Sequence, residues 1–359
     1  MESNRSSKEP PEVGIVIPAY NGGQDLERCL KSLVACGYSR LSIVVVDNAS
    51  SDQSVQLVRE CFPRVHVVEL GNNTGFAGAC NRGVAELTRQ GVPYVALVNQ
   101  DVEVSQGWLE PLVSELESRA DVAAVQPLIL LADNTTIVNT LGNHIHYLGF
   151  GYAGGNGLSI ADTRVQRVLR SPSEVTYASG AAVVLRMAHV QELGLFQDAF
   201  FMYHEDLDFG WRARLAGYRS LLVPSSLVYH RYDFHRSTLV KYEYGERNRL
   251  LVLLENYHVL TLLLIFPAWL VMEVGVVTVS VIRGWLPAKL RGYHYIIKEL
   301  PTILRVRREH QRLRRCPEHW VVREFAGGIH FQKRKPFLLR ALNPFLEAYW
   351  AIVRRCIVW

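Results

Sequence analysis

Four short apolar runs early in the chain, each but the last followed by a stretch of helical periodicity, constrain its fold more than any other feature. They cover residues 13–17, 41–46, 65–70 and 94–98. The first stops at Pro18, as a buried strand does when the backbone must leave the sheet. Between the runs, residues 25–35 place Leu26, Leu30 and Leu33 on one helical face, and residues 51–61 and 77–90 also read as helices. Strands alternating with helices of this length predict right-handed βαβ units and a parallel sheet. Further along, residues 122–131 and 175–185 read as strands, 187–193 as a helix, and the segment Phe200–Asp206 leads into another helix that runs to about Ala216, followed by a strand through Val223. Residues 142–157, rich in Gly, His and Tyr, read as a hairpin or loop over a site.

In open α/β sheets, ligands bind in the crevice beyond the carboxyl ends of the strands. Here those ends read Pro18-Ala19-Tyr20-Asn21, Asp47-Asn48-Ala49-Ser50, Gly71-Asn72-Asn73-Thr74-Gly75 and Asn99-Gln100-Asp101. A polar turn follows many strands, so one such end carries no weight. Four in series, two of them with an aspartate, mark a candidate polar site. The first strand is not followed by Gly-x-Gly-x-x-Gly, which argues against a nicotinamide dehydrogenase.

These segments, with others later in the chain, resemble a known family. IVIPAYN (15–21), VVDNASSD (45–52), NNTGFAGACNRG (72–83), LVNQDV (97–102), SGA (179–181) and FFMYHEDLDFGWR (200–212) occur in the order seen in glycosyltransferase family 2. Those are inverting enzymes with a GT-A fold. Within the family the chain is most similar to non-processive, rhamnosyltransferase-like members. Gly210-Trp211-Arg212 does not match the Gln-x-x-Arg-Trp of processive synthases. The resemblance implies an α/β fold of the GT-A type, a mostly parallel central sheet flanked by helices, over residues 13–246. A disordered lead (1–12) would precede it, and a membrane-associated helical tail (247–359) would follow.

The resemblance also implies roles. Pro18, Ala19, Tyr20 and Asn21 would border the base of a nucleotide-diphosphate sugar. Asp47, with Asn48 and Ser50 beside it, would recognise base or ribose; the plainer reading of Asp47 is a turn or helix-capping residue. Asn73, Gly75, Phe76, Ala77 and Asn81 lie at the start of a helix whose N–H groups would face the diphosphate, although Gly75 also reads as a turn glycine. Gly180 would line the same donor site. Asn99, Gln100 and Asp101 stand in place of the DxD metal motif, with Asn99 where the first Asp belongs. A divalent metal, Mg or Mn, would be held by Asp101 and by His230, whose plainer reading is a satisfied histidine at a strand end. Asp206 would be the catalytic base and Glu205 its neighbour in orienting acceptor or base. Arg212 would approach the diphosphate, or else pair with Asp208 across one helical turn on the surface.

The tail needs the charge distribution. Residues 283–359 hold 17 Lys and Arg against 5 Glu, whereas the preceding residues are net acidic. Residues 259–282 form a 24-residue apolar stretch broken only by Pro267 and Glu273, long enough to cross a bilayer. A single crossing would export the basic tail, against the positive-inside rule. Pro267 could fold the segment into a re-entrant hairpin, and a buried soluble helix is the plain alternative. In residues 337–359, Arg340, Asn343, Glu347, Arg354 and Arg355 form a polar stripe on an otherwise apolar helix, as at a membrane interface. Lys333-Arg334-Lys335 would meet lipid phosphates. The start of the chain lacks the apolar core of a signal peptide, so the catalytic domain is expected on the cytoplasmic face of a membrane.

The expected partners are the donor sugar, a saccharide or lipid-linked acceptor and a membrane. Nucleic acid is not expected, because the basic residues alternate with long apolar runs. An inactive membrane-bound scaffold is the alternative, motivated by Asn99. The six cysteines show no metal-ligand spacing and read as reduced thiols. Removing residues 251–359 is expected to leave a soluble domain.

Overall fold

A computed structural model describes residues 9–232, 239–329 and 337–359, and the side chains of all of these except 337–341. The expected lead at residues 1–8 and Lys333-Arg334-Lys335 lie outside the described residues, as does the side chain of Arg340.

The first half alternates as expected: β1 (Val13–Ala19), α1 (Gly23–Val34), β2 (Leu41–Asp47), α2 (Ser54–Cys61), β3 (His66–Glu69), α3 (Gly75–Gln90) and β4 (Tyr94–Val98). β1 pairs in parallel with β2 and with β4, and β2 with β3. Strand β1 is buried on both faces. Ile15 and Ile17 join Leu26, Leu30 and Leu33 of α1 in one core, while Val16 joins Val84 and Leu87 of α3 in a second. Alternating side chains on one strand thus hold helices on opposite sides of the sheet.

Beyond β4 the sheet is mixed. The next elements are β5 (Val102–Val104), α4 (Leu109–Ser118), β6 (Val122–Leu131), β7 (Asn134–Thr140), β8 (Asn143–Ile145), β9 (Gly151–Ala153), α5 (Thr163–Val168), β10 (Ser173–Val175), β11 (Ala182–Arg186), α6 (Met187–Leu193), α7 (Glu205–Leu215) and β12 (Arg219–His230). The order across the sheet is β10-β12-β6-β11-β4-β1-β2-β3, with β11 antiparallel between β4 and β6. Strands β2 and β3 lie to one side of β1 and β4 to the other. The crevice of a doubly wound sheet therefore opens at the ends of β1 and β4.

One expected element differs. The strand expected over residues 175–185 is parts of two strands, because residues 176–181 leave the regular ladder; within them, at Ser179-Gly180-Ala181, the buried Gln126 side chain accepts from Ser179 N–H. Residues 142–157 contain the β8–β9 hairpin, the first of the two forms expected.

The C-terminal part is helical: α8 (Leu239–Asn256), α9 (Val259–Ile282), α10 (Leu286–Lys298), α11 (Leu300–Arg312), α12 (Glu318–Val321) and α13 (Phe337–Cys356). The boundary expected after residue 246 falls inside α8. Helix α9 runs unbroken through Pro267, so the re-entrant hairpin is not formed. In α13, Asn343 is not on a polar outer stripe: it is buried, and its amide donates to Ile329 O and accepts from Ile329 N–H, both at 2.9 Å.

A third core joins the two regions. Tyr147, Trp211 and Leu215 of the front body pack with Tyr257, Ile265, Trp350 and Ile357 of the tail. Tyr147 stacks on Trp350 with ring centroids 4.8 Å apart. Removing residues 251–359 would bare this core, so the soluble fragment expected above is revised. A chain ending at residue 250 is expected to aggregate, and to pellet in detergent-free centrifugation even without membranes.

Candidate active site

The ends of β1, β2 and β4 meet through their own side chains. Gln100 bridges the β1 turn, accepting from Tyr20 N–H at 2.9 Å and donating to Tyr20 O at 3.2 Å. Asn21 adopts positive φ; its N–H donates to Ser50 Oγ, and its side-chain oxygen accepts from Ser51 N–H. Ala49 is also at positive φ. Non-glycine residues held there carry strain, which the cross-braced turns must offset. The Tyr20 side chain is 48% exposed and Ala19 is buried beneath it, with Pro18 partly buried.

Asp47 is buried at the end of β2. One carboxylate oxygen accepts from Ser50 N–H at 3.1 Å, and the other, Oδ1, has no partner within the protein. The turn-residue reading is thus met by one oxygen, while the second is left with an unmet acceptor. Asn48 is a brace: it accepts from Thr74 N–H at 2.7 Å and donates to Gly75 O at 2.9 Å, tying β2 to the start of α3.

Asp101 and His230 are brought together by the sheet. The end of β12 pairs antiparallel with β5, setting His230 opposite Val102, and Arg231 N–H donates to Asp101 O. His230 Nε2 lies 3.2 Å from Asp101 Oδ1. His230 Nδ1 faces the side-chain oxygen of Asn139 at 3.1 Å, so Nδ1–H donates to that amide and Nε2 is the ring nitrogen turned toward the carboxylate. Asp101 Oδ1 is buried with no hydrogen-bond partner besides the His230 ring 3.2 Å away, and Asn99 Oδ1 in the same turn is buried without one. A carboxylate and an imidazole side by side are ligand types that a divalent cation takes, so the chemistry of this pair suits the metal.

Glu205 and Asp206 open α7. The preceding turn is strained: Phe201, Tyr203 and His204 all adopt positive φ. Its carbonyls are held from several directions. Asn248 of α8 directs its amide at the carbonyls of Phe200, Met202 and Tyr203, at 2.9, 2.9 and 2.8 Å. Arg247 donates to the carbonyls of Ala199 and Phe200, and Ala77 N–H to that of Phe201. Burial pushes His204 down to about 4, so its ring is neutral, and Nε2–H donates to Gly149 O beside the β8–β9 hairpin.

This clamp aims Asp206 at the 179–181 break. Gly180 N–H donates to Asp206 Oδ2 at 3.0 Å, and Leu207 N–H to Oδ1 at 2.8 Å. Ala181 O accepts from Asn99 N–H at 2.9 Å. The three-residue break therefore links Asp206 directly to the strand end that carries Asp101. Loss of hydration raises the Asp206 carboxyl to about 6, despite those backbone donors. Glu205 is more deeply buried, with Oε2 unpartnered, and burial beside Asp206 pushes it well above the ordinary carboxylate range.

Three expected donor contacts are replaced by structural ones. Arg212 is buried; its guanidinium donates to Asp208 at 2.7 Å and to the carbonyls of Leu193, Gly194 and Leu195, so it holds α6 to α7 and does not reach a diphosphate. The pairing with Asp208 exists but lies in the core, not on the surface. Asn81 bonds Phe196 and Asp198 through its amide. Two of the first N–H groups of α3 are also taken: Gly75 donates to Asn73 Oδ1 and Ala77 to Phe201 O. Gly75 has φ of +73°, and a Cβ there would collide with Phe201 O, so the turn-glycine reading holds. Phe76 packs against Phe196 and beside Gly180.

Asp208, Glu255 and His310 also cluster, with ligand atoms within 4.8 Å of one another. Arg212 and Asn256 already satisfy Asp208, and Asn256 also faces His310 Nδ1 at 2.9 Å. This is a neutralised core network. Sequence reasoning missed Gln126, Asn139, Arg247 and Asn248. Gln126 alone left a trace, as the one amide in the apolar run of β6.

A family profile described as glycosyl transferase family 2 matches residues 14–190. The chain belongs to glycosyltransferase family 2. It is 29% identical over 230 residues to an N-acetylglucosaminyl-diphospho-decaprenol L-rhamnosyltransferase of Mycobacterium tuberculosis, covering 60% of this chain and 75% of the relative. It is 25% identical over 217 residues to a low-salt glycan biosynthesis hexosyltransferase, Agl10, of Haloferax volcanii, covering 56% of this chain and 62% of that one. Among solved structures, GalNAc-T7 with UDP, GalNAc and Mn2+ superposes with a TM-score of 0.55 at 18% identity, over 68% of this chain and 48% of that one. That likeness shows the GT-A fold. This family 2 member is a nucleotide-sugar glycosyltransferase of glycan synthesis.

Proposed function

We propose that this glycosyltransferase moves one sugar, rhamnose being the leading candidate, from a nucleotide-diphosphate donor to a saccharide or lipid-linked acceptor, inverting the anomeric centre. The observation that carries the proposal is the Ser179-Gly180-Ala181 break, which hydrogen-bonds both Asp206 and the Asn99–Asp101 turn. A base and a candidate metal site are thereby fixed relative to one another across one small loop. The rhamnosyl preference rests on the mycobacterial relative.

Asp206 takes the proton from the acceptor hydroxyl. The acceptor oxygen bonds to the anomeric carbon as the bond from that carbon to the diphosphate oxygen breaks. A base near 6 is ionised at neutral pH and still basic enough to share the proton in the transition state. Burial and the Asp206 charge both favour the protonated form of Glu205, which limits the negative charge beside the base. Asp101 and His230 would hold Mg2+ or Mn2+, beside the unpartnered side-chain oxygen of Asn99 in the same turn. The metal, when bound, neutralises charge on the leaving diphosphate. Asp47, with its free oxygen, takes an N–H or O–H of the base or ribose, and Tyr20 covers the base. The protein works at a membrane, with this site on the cytoplasmic face and the acceptor presented by the lipid. The apolar helix α9 supports the membrane association.

Asn139 provides a test away from the reacting atoms. Its oxygen fixes the His230 tautomer, and losing such an outer hydrogen bond costs about 10–100-fold in metal affinity. Asn139→Ala is expected to raise by that factor the Mn2+ concentration giving half-maximal transfer, with turnover largely restored at saturating Mn2+. An unchanged Mn2+ requirement would place the metal elsewhere.

A further inference from the structure

Helix α9 is long and apolar enough to cross a bilayer, but its packing forbids that orientation. Thr261, Ile265, Ala268, Met272 and Ser280 recur at helical spacing and are buried against the protein from end to end of the helix. Near its middle, Glu273 is buried and ion-paired with Arg249 of α8 and Lys289 of α10, and accepts from the Tyr293 hydroxyl. Arg249 in turn donates to Leu148 O and lies over the Phe150 ring, both in the loop joining β8 to β9. The centre of α9 is therefore held against the catalytic body. A spanning helix would carry that centre to the middle of a hydrocarbon layer about 30 Å thick, taking Arg249, Lys289 and the hairpin with it.

The opposite face of α9 is apolar and open. Leu263 is 67% exposed, Val271 62% and Ile282 75%, with Phe266 and Val274 also exposed. Its packing neighbours continue this surface. Leu290 and Ile297 are exposed on α10, and Phe345 and Ile352 on α13. Basic residues border it: Arg283 follows α9, Lys298 closes α10, and Arg355 stands one turn beyond Ile352. Residues 283–359 carry 17 basic against 5 acidic side chains. Apolar side chains edged by long cations match the depth profile of an anionic lipid leaflet, where the cations reach back to the phosphates.

We propose that α9 lies in the plane of the membrane, its Leu263–Val271–Ile282 face sunk into one anionic leaflet and flanked by α10 and α13, so that the protein docks on the bilayer without crossing it. This deepens the membrane clause of the proposed function, and it stands or falls separately from the transfer chemistry.

The full chain tests it by co-sedimentation with phosphatidylcholine vesicles, with and without phosphatidylglycerol. Binding is expected to the mixed vesicles, weakening with salt. Leu263→Glu with Val271→Glu, two exposed positions outside the packed face, is expected to weaken binding about 10-fold or more while leaving the melting temperature unchanged. Nitroxide labels on cysteines placed at Leu260, Val271 and Ile282 are expected at one shared depth, about 5–10 Å below the phosphates. Labels at opposite surfaces with Val271 at the centre would establish a spanning helix and overturn the proposal. Equal vesicle binding by the double variant would also overturn it. So would lipid-free self-association that the double variant abolishes, since the face would then meet a second copy of the chain. No arm of the test reads turnover, so failure here leaves the transferase reading intact.

Discussion

Asp206→Asn is expected to lower sugar transfer by about 10²–10⁴-fold, the range contributed by a positioned general base. The amide keeps the shape of the carboxylate, but its single oxygen can accept from only one of Gly180 N–H and Leu207 N–H. Donor KM is therefore expected to stay near that of the unmodified enzyme, with the loss falling on kcat. In the unmodified enzyme kcat/KM is expected to rise with pH and level off above about 6, because Asp206 must be ionised to act. The residual rate of the variant should lack that limb. The stability effect has the opposite sign. Because burial raises the folded carboxyl above its ordinary value, the folded state binds this proton more tightly than the unfolded chain does. Its contribution is fully present at low pH and is lost as pH rises toward and through about 6. Removing the charge relieves that penalty at neutral pH and offsets the one backbone hydrogen bond the amide gives up. A kcat loss with the melting temperature little changed identifies a catalytic base, whereas a structural residue would lose both.

Asn248→Asp is expected to lower kcat by about 10²-fold, although Asn248 touches no reacting atom. Its amide is aimed at three carbonyls of the turn that carries three positive-φ residues into Glu205 and Asp206. A carboxylate of the same shape cannot donate to them and repels them. The Phe200 carbonyl keeps Arg247 as a donor, but those of Met202 and Tyr203 lose this one, at about 1–3 kcal/mol for each buried carbonyl left unpaired. The turn is then expected to relax toward unstrained backbone, and a displacement of about 1 Å at the base is enough for such a loss. Asn248 is thus a positioning residue. The discriminating readout is the split between kcat and donor KM, because the Asp47 and Tyr20 turns do not rest on α8. The acid limb of the pH profile is also expected to shift as Asp206 leaves the Gly180 N–H. A fall in stability with kinetic constants intact per folded molecule would reduce Asn248 to a packing role.

The parts of this molecule visible in its sequence are those governed by local pattern. Strand β6 spans the residues its apolar run marks out, and β4 does likewise, because a doubly buried strand needs an unbroken apolar stretch. Helix α1 follows the spacing of Leu26, Leu30 and Leu33. The resemblance drew attention to Asp101, His230 and Asp206 before any geometry was known. What stayed hidden depends on contacts distant in sequence. Asn139 meets His230 across 91 positions, and Asn248 meets Met202 across 46. Helix α8 buries Arg247, Asn248 and Arg249 in succession, so no amphipathic stripe announces it. Arg212 illustrates the converse error: a cation beside carboxylates suggests a phosphate ligand, yet burial against three carbonyls and Asp208 uses it as a brace. Residues 259–282 invite a transmembrane reading on composition, which says nothing of the ion pairs at Glu273.

The most direct test of the central claim is donor turnover by the purified full chain, in the presence of a lipid-linked saccharide acceptor and Mn2+, across dTDP-, UDP- and GDP-sugars. One donor is expected to be consumed with inversion, with activity lost on chelation, restored by Mn2+ and absent in Asp206→Asn. No turnover of any donor by folded protein, or turnover indifferent to both chelation and Asp206→Asn, would contradict the account.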